Sequence, residues 1–416
     1  MFDVLLNKKE KEFKYRAREF VKTIPSNWLR EMDREEIHYP TEYVKAIAKE
    51  KLLGLRFPPE YGGQGMGWVA ETAVIEEIGI LGCALGCLYV LPSIVGEAIY
   101  HFGTEKQKKA YLEPIIKGKK FCAEALTEPR GGSDFFGAQL LAKKQGDNFI
   151  LNGQKRFVVG SEGANIFLVY AKTDPSAPDP RNSISTFIVE RDYGIQVKHV
   201  YGLMGSRGGG TGRLLFENVE VPEENLVGEL NTGGAIFNQM MIPERMTSAA
   251  GAIGGAQAGI EVAAKYSTRR KAFGHPIRRF QGVSFKLADS ITLLDAARSL
   301  VYTTARHIDA NNGIGDGTIR RMVSETKKFA TDSAWEVINH AMQIMGGIGY
   351  TDVYPVEKLL RDIRLMTIWT GTNEIMNSLI QHEYYNELTK RSQEITPRDI
   401  EQDAIGAEFK EEKVFE

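Results

Sequence analysis

Ala125-Leu126-Thr127-Glu128-Pro129-Arg130-Gly131-Gly132-Ser133-Asp134 is where the chain changes character. Before it, apolar residues recur at helical spacing: Phe13, Ala17, Phe20 and Val21, then Tyr43, Ile47 and Leu52 ahead of the breaker Pro58-Pro59. Glu71 to Gly79 and Ser93 to Phe102 continue the pattern, so residues 1–121 read as a helical domain. After it come short β runs separated by turn residues: Phe149 to Leu151, Ile166 to Lys172, Ser185 to Glu190, Ile195 to His199 and Leu214 to Val221. Residues 122–228 therefore predict a small β-barrel or sandwich. Helical periodicity returns over Thr247 to Arg270, Gly282 to Asn311, Thr318 to Met345 and Thr372 to Leu388, which predicts a four-helix bundle over 229–390. Residues 391–416 mix charges with Pro397 and Gly406 and read as an appended tail. The expected fold class is α+β and multidomain.

Within these units several segments stand out. In the opening segment, paired glycines let backbone N–H groups approach a ligand, and Ser133 can bond a phosphate. Asn152-Gly153-Gln154-Lys155 predicts a hairpin turn, and Arg269-Arg270-Lys271-Ala272-Phe273-Gly274 predicts a basic, glycine-stopped helix end. Ala249 to Gly259 is dense in small residues, which predicts close helix packing.

Composition excludes several function classes. The 416 residues carry 52 basic and 54 acidic side chains, a net charge of -2, so no basic track for nucleic acid or an anionic membrane is expected. The charged N-terminal residues lack a signal-peptide core, and no stretch reads as long and apolar enough to cross a bilayer, so a cytoplasmic protein is expected. Cys83, Cys87 and Cys122 lack neighbouring histidines for a zinc pattern and read as reduced, packed thiols; no metal is expected. A Walker loop, a nucleophile elbow and an H-E-x-x-H site are all missing.

Three further segments complete the pattern: Gln343-Ile344-Met345-Gly346-Gly347-Ile348-Gly349-Tyr350, Arg361-Asp362, and Thr370-Gly371-Thr372-Asn373-Glu374-Ile375. In this order, from Lys8 to Leu388, the motifs resemble the acyl-CoA dehydrogenase family. The resemblance implies a helical domain, a β-domain and a four-helix bundle, assembled as a homotetramer or homodimer around FAD. It places Leu126 and Thr127 at the flavin ring and Ser133 near phosphate and ligand. Arg270, Phe273 and Gln281 match positions that reach the flavin's ADP half across a subunit contact, and Gln343, Gly347, Thr372 and Glu374 match others that line it. The family's Trp-x-Thr beside the flavin is here Phe157-Val158-Val159, which keeps an aromatic wall and loses a hydroxyl.

The implied chemistry removes a proton and a hydride from an acyl-CoA, and the proton needs a carboxylate of raised pKa. In many members of the family that base directly precedes the Gly-Thr of the last motif, where this chain has Thr370 beside Gly371. A smaller branch, including isovaleryl-CoA and long-chain acyl-CoA dehydrogenases, carries the Glu on the first bundle helix, directly before an Arg. This chain has Ile242-Pro243-Glu244-Arg245 at that place, which makes Glu244 the expected base. The competing account is a helix start, with Pro243 in the first turn and Glu244 facing the dipole. Arg245 would position the CoA portion or fix the base, or else close a salt bridge within the bundle.

The stretch Cys83 to Val95 holds no Arg, Lys or His, which argues against a substrate ending in a carboxylate. Cys87, Val90, Leu91 and Ile94 suit an apolar acyl chain. The expected reaction is α,β-dehydrogenation to a 2-enoyl-CoA, with electrons passed to an electron-transfer flavoprotein. An oxidase or an enoyl-CoA reductase on the same fold is the alternative, followed by a flavin-containing binding protein.

Overall fold

The computed structural model describes residues 2–390, and the charged tail at 391–416 lies outside the described residues. The N-terminal helices Lys8–Thr23, Ser26–Asp33, Thr41–Lys49, Trp68–Gly79 and Cys83–Phe102 come first. Asn7 starts the first of them with a capping box, exchanging hydrogen bonds with Glu10. Cys83–Phe102 is one continuous helix through Pro92, so the small-residue stretch before Ser93 belongs to it. By length and composition this helix could cross a bilayer, contrary to the expectation from sequence. However, 89% of its apolar window is buried inside the protein, and it serves as a core helix.

The β-domain is one eight-stranded sheet: β1 (Cys122–Ala125), β2 (Leu141–Gln145), β3 (Asn148–Val158), β4 (Ile166–Lys172), β5 (Ile184–Glu190), β6 (Gln196–Val200), β7 (Gly212–Pro222) and β8 (Leu226–Val227). The spatial order is β6-β7-β3-β2-β4-β5-β8, with β1 lying parallel to β4 so that Glu124 pairs with Leu168. Strand β4 is apolar almost throughout because both its faces are covered. Phe167 and Val169 enter the core of the β-domain, while Ile166, Leu168 and Tyr170 join the helical core.

Asn152-Gly153-Gln154-Lys155 does not form the expected hairpin turn. It runs through the middle of β3, and the β2–β3 reversal falls at 146–147. Gly153 instead marks an irregularity in the pairing with β7, with φ of +142° and its α-carbon so close to Leu140 that a Cβ would lie 2.9 Å from the Leu140 Cα.

The bundle helices are Gly233–Arg269, Gln281–Ala310, Gly317–Met345 and Asn373–Lys390, with Val356–Met366 between the last two. The first begins fourteen residues before the expected Thr247, because its N-terminal half is buried nearly all round and shows no amphipathic stripe. Its end also differs from expectation. Arg270 is extended, and Phe273-Gly274 forms the turn of a small hairpin that pairs Lys271-Ala272 with His275-Pro276. The small-residue stretch packs tightly as expected: a Cβ at Gly254 would lie 2.2 Å from the Glu76 carbonyl of the helix Trp68–Gly79.

Candidate active site

A cavity of about 580 Å³ opens where the helix Cys83–Phe102, the β-domain, the first bundle helix and the 365–375 segment meet. Cys87, Val90, Leu91 and Ile94 form its apolar helical wall. Leu126, Thr127, Ser133, Phe157 and Val159 come from the β-domain, Glu244 and Arg245 from the first bundle helix, and Thr370, Gly371 and Thr372 from the last connection. Fourteen expected residues thus share one wall system, although they are spread over nearly 300 positions of sequence.

Pro243 lies ten residues inside its helix, so the first-turn account of Glu244 fails. Glu244 and Thr370, the two positions that the resemblance singles out for a base, both line this cavity. Burial raises the Glu244 pKa above the ordinary carboxylate value, opposed by the neighbouring Glu124 side chain and by Arg245. Among the described residues Arg245 makes no ion pair. It is buried, donates to Ser324 Oγ at 3.0 Å, and its Nε has no partner among the described residues. Burial and repulsion from Arg320 lower its pKa to about 10.

The loop carrying Thr370 is held from behind. Lys327, fully buried on the third bundle helix, donates to the Gly371 carbonyl and to Asn373 Oδ1, each at 2.8 Å. Burial, with Arg245 nearby, brings its pKa down to about 7. Thr370 has φ of +54° and Phe157 has φ of +58°, strained values for residues with a side chain, and both face the cavity. Phe157 packs against Tyr201 with ring centroids 4.9 Å apart, and the Arg156 guanidinium lies 4.8 Å from its centroid.

Six expected residues lie away from the cavity. Arg270, Phe273 and Gln281 stand at the far end of the first bundle helix and the start of the second, with Phe273 92% exposed. Gln343 and Gly347 are exposed at the end of the third, and Glu374 is exposed at the start of the last. None of the six lines the cavity, although Glu374 stands between Thr372 and Ile375, which do.

Sequence reasoning missed Glu124, Lys155 and Lys327. Glu124 stands in β1 among Cys122, Ala123 and Ala125, where strand alternation turns it toward the cavity; a lone charge in a buried strand was the available signal. Lys155 has no exposed surface, and its Nζ donates to Glu128 Oε1 at 2.8 Å and to the Leu126 carbonyl at 3.0 Å. It fixes the backbone immediately before Thr127.

The cavity fits a large ligand that carries polar groups. Arg156 Nε, Thr211 Oγ1, Trp369 Nε1 and Thr370 Oγ1 are buried on cavity-lining residues and lack partners among the described residues, whereas buried polar atoms ordinarily have one. Family signatures account for the whole architecture: the acyl-CoA dehydrogenase N-terminal domain over residues 7–119, its middle domain over 123–219 and its C-terminal domain over 231–384. The chain belongs to the acyl-CoA dehydrogenase family. It is therefore a flavoprotein oxidoreductase with an acyl-CoA-like substrate. Among relatives in this acyl-CoA dehydrogenase family, a 3-(aryl)acrylate reductase of Clostridium sporogenes is 38% identical over 82% of this chain and 89% of its own. The caffeyl-CoA reductase-Etf complex subunit CarC of Acetobacterium woodii is 35% identical over 88% and 95%. The butyryl-CoA dehydrogenase structure from Megasphaera elsdenii superimposes with a TM-score of 0.86 at 31% identity, over 91% of this chain and 99% of the other.

Proposed function

We propose that this protein moves a hydride and a proton across the Cα–Cβ bond of an acyl-CoA thioester, with Glu244 carrying the proton, and works as a reductase of 2-enoyl-CoA. The observation that supports this most directly is a carboxyl at Glu244 that lines the cavity, with burial favouring its protonated form. A protonated acid is the form needed to deliver a proton to Cα as hydride reaches Cβ, and the same residue deprotonated serves the reverse, dehydrogenating direction. The similarity to proteins named as reductases favours the first direction, and the name of the caffeyl-CoA reductase-Etf subunit favours an electron-transfer flavoprotein as electron donor.

The residues present divide the work. Leu126 and Thr127 would hold the flavin ring against Phe157 and Val159, with Thr372 beside them, and Ser133 would take a phosphate or the thioester end of the ligand. Bound FAD supplies hydride exchange at its N5. Thr370 and Gly371 would border the thioester, Arg245 would orient the base from its own helix, and Cys87, Val90, Leu91 and Ile94 would exclude water around the acyl chain. The outward-facing Arg270, Phe273, Gln281, Gln343, Gly347 and Glu374 would meet the ADP half of FAD at a contact between copies of this chain, in a homotetramer or homodimer.

Anaerobic mixing of the reduced holoenzyme with crotonyl-CoA or cinnamoyl-CoA tests the reading. Yellow colour should return within the mixing time course for a substrate. Glu244→Gln should retain FAD and bind the ligand but lose at least about a hundredfold in rate, as removal of a general acid does. Thr370→Ala should retain turnover. Normal flavin reoxidation by Glu244→Gln would overturn the assignment of the proton carrier. Bleaching of the oxidised enzyme by saturated acyl-CoA, with no response of the reduced enzyme to any enoyl-CoA, would overturn the direction.

A further inference from the structure

Glu124 and Glu244 approach each other across the inner wall of the cavity, one from β1 and the other from the first bundle helix. Each is open only on the cavity side and enclosed by protein elsewhere. Among the described residues Lys155 acts on Glu124 and Arg245 on Glu244, but each cation is also engaged elsewhere. From the helix Cys83–Phe102, the Cys87 thiol faces the pair, and from β4 the buried Tyr170 hydroxyl does. On β3, the Lys155 ammonium is committed to Glu128 and the Leu126 carbonyl. On Glu244's own helix, Arg245 donates to Ser324. Glu124 Oε1 is buried and makes no hydrogen bond of ordinary geometry among the described residues, with the Glu244 carboxyl and the Tyr170 hydroxyl beside it.

Two ionised carboxylates side by side in such a place repel strongly, so the resting pair keeps one proton, and that proton gives Oε1 a donor. We propose that Glu124 is a positioning residue that shares one proton with Glu244, so that the two act as a carboxyl–carboxylate pair and the pair, rather than Glu244 alone, sets the protonation state at Cα. The inference rests on Glu244 being the proton carrier. Burial raises both groups; the Glu244 charge lifts Glu124 further, well above the ordinary range, while the Glu124 side chain and Arg245 oppose the rise at Glu244. The shared hydrogen bond eases loss of the first proton from the pair, and like-charge repulsion delays loss of the second. The result is a wide pH window in which exactly one proton is held, with one carboxylate able to accept and one carboxyl able to donate. In the reductive direction that proton would pass to Cα as hydride, which bound FAD would supply, reaches Cβ, and the pair would stay doubly ionised only until solvent returned a proton.

The test uses FAD-loaded Glu124→Gln and Glu124→Leu beside the parent and Glu244→Gln. In the parent, enoyl-CoA-driven flavin reoxidation should persist to higher pH than in either Glu124 variant. Removing the like charge should move the falling limb down by about one pH unit, a tenfold loss of rate at a fixed pH above it. Independently of turnover, the infrared C=O band of a protonated buried carboxyl should be present in the parent at neutral pH and weakened in Glu124→Gln. Gln keeps a donor and the volume, so this variant answers the question if Leu at 124 disturbs folding. Superimposable pH profiles with an unchanged carboxyl band in Glu124→Gln would overturn the pair while leaving Glu244 as proton carrier. Normal turnover by Glu244→Gln would remove the reading beneath it.

Discussion

A lysine with no exposed surface persists only where its charge is matched, and Lys155 is matched by Glu128. Glu128 also accepts from the backbone N–H groups of Gln139 and Leu140, so one ion pair ties β3 to both ends of the 126–140 segment that carries Leu126, Thr127 and Ser133. Replacing Lys155 by Met would leave the Glu128 carboxylate buried without its cation, a loss of about 3–5 kcal/mol. A clear fall in the thermal midpoint of the FAD-loaded protein is expected, with easier loss of FAD because the Leu126 carbonyl is released. An unchanged midpoint would show that the pair contributes nothing net. Glu128 was visible in the sequence as part of a motif, but Lys155 read as a turn residue, because a charged side chain is ordinarily solvated and sequence carries no direct sign of burial. Glu124 escaped notice for the same reason. Glu244 was legible only because Thr370 stands where the family's commoner base would be.

Among the elements, the first bundle helix shows why local pattern stops short. Its small-residue segment was read as a packing surface, and it is one: Gly254 faces the Glu76 carbonyl, and a Cβ at Gly79 on the opposing helix would lie 2.7 Å from the Gly251 carbonyl. Both obstacles are backbone atoms, which cannot rotate away. Gly254→Val should therefore cost about 1–3 kcal/mol or more by overpacking, despite the better helix propensity of a residue with a side chain. The expected readouts are a lower denaturant midpoint and a displaced Glu244, seen as slower flavin reoxidation. Wild-type values for both would mean that the two helices separate freely. Strands β4 and β5 were legible because each is a short, mostly apolar run buried on both faces. The misplaced turn at Asn152-Gly153 arose because the same dipeptide serves a hairpin turn and an irregular strand, and only the partner strand distinguishes them.

At the scale of the whole molecule, the cavity exists only while three units keep their relative positions, and Arg361-Asp362 is where they are joined. Asp362 is buried on the helix Val356–Met366, where it accepts from the Cys83 N–H at 3.0 Å, the Ser206 N–H at 2.6 Å and Lys358 Nζ at 2.7 Å. Arg361 beside it forms a bidentate pair with Asp33 and donates to the Met204 carbonyl. One dipeptide thus binds the bundle to the N-terminal helices and to the loop before β7. It was recognisable as a family segment, but its role as a junction was not, since its partners outside its own helix lie between 156 and 328 positions away. Asp362→Asn keeps the shape but removes the charge facing Lys358 and turns an acceptor into a donor opposite one of the two N–H groups. The expected cost is about 3–5 kcal/mol, as for other broken buried pairs. The helix Cys83–Phe102 supplies the acyl wall and Asp362 caps its first turn, so the damage should extend to ligand affinity. Enoyl-CoA binding should weaken together with thermal stability. A variant that lost stability but bound ligand normally would show that the cavity is held by its apolar packing and not by this junction.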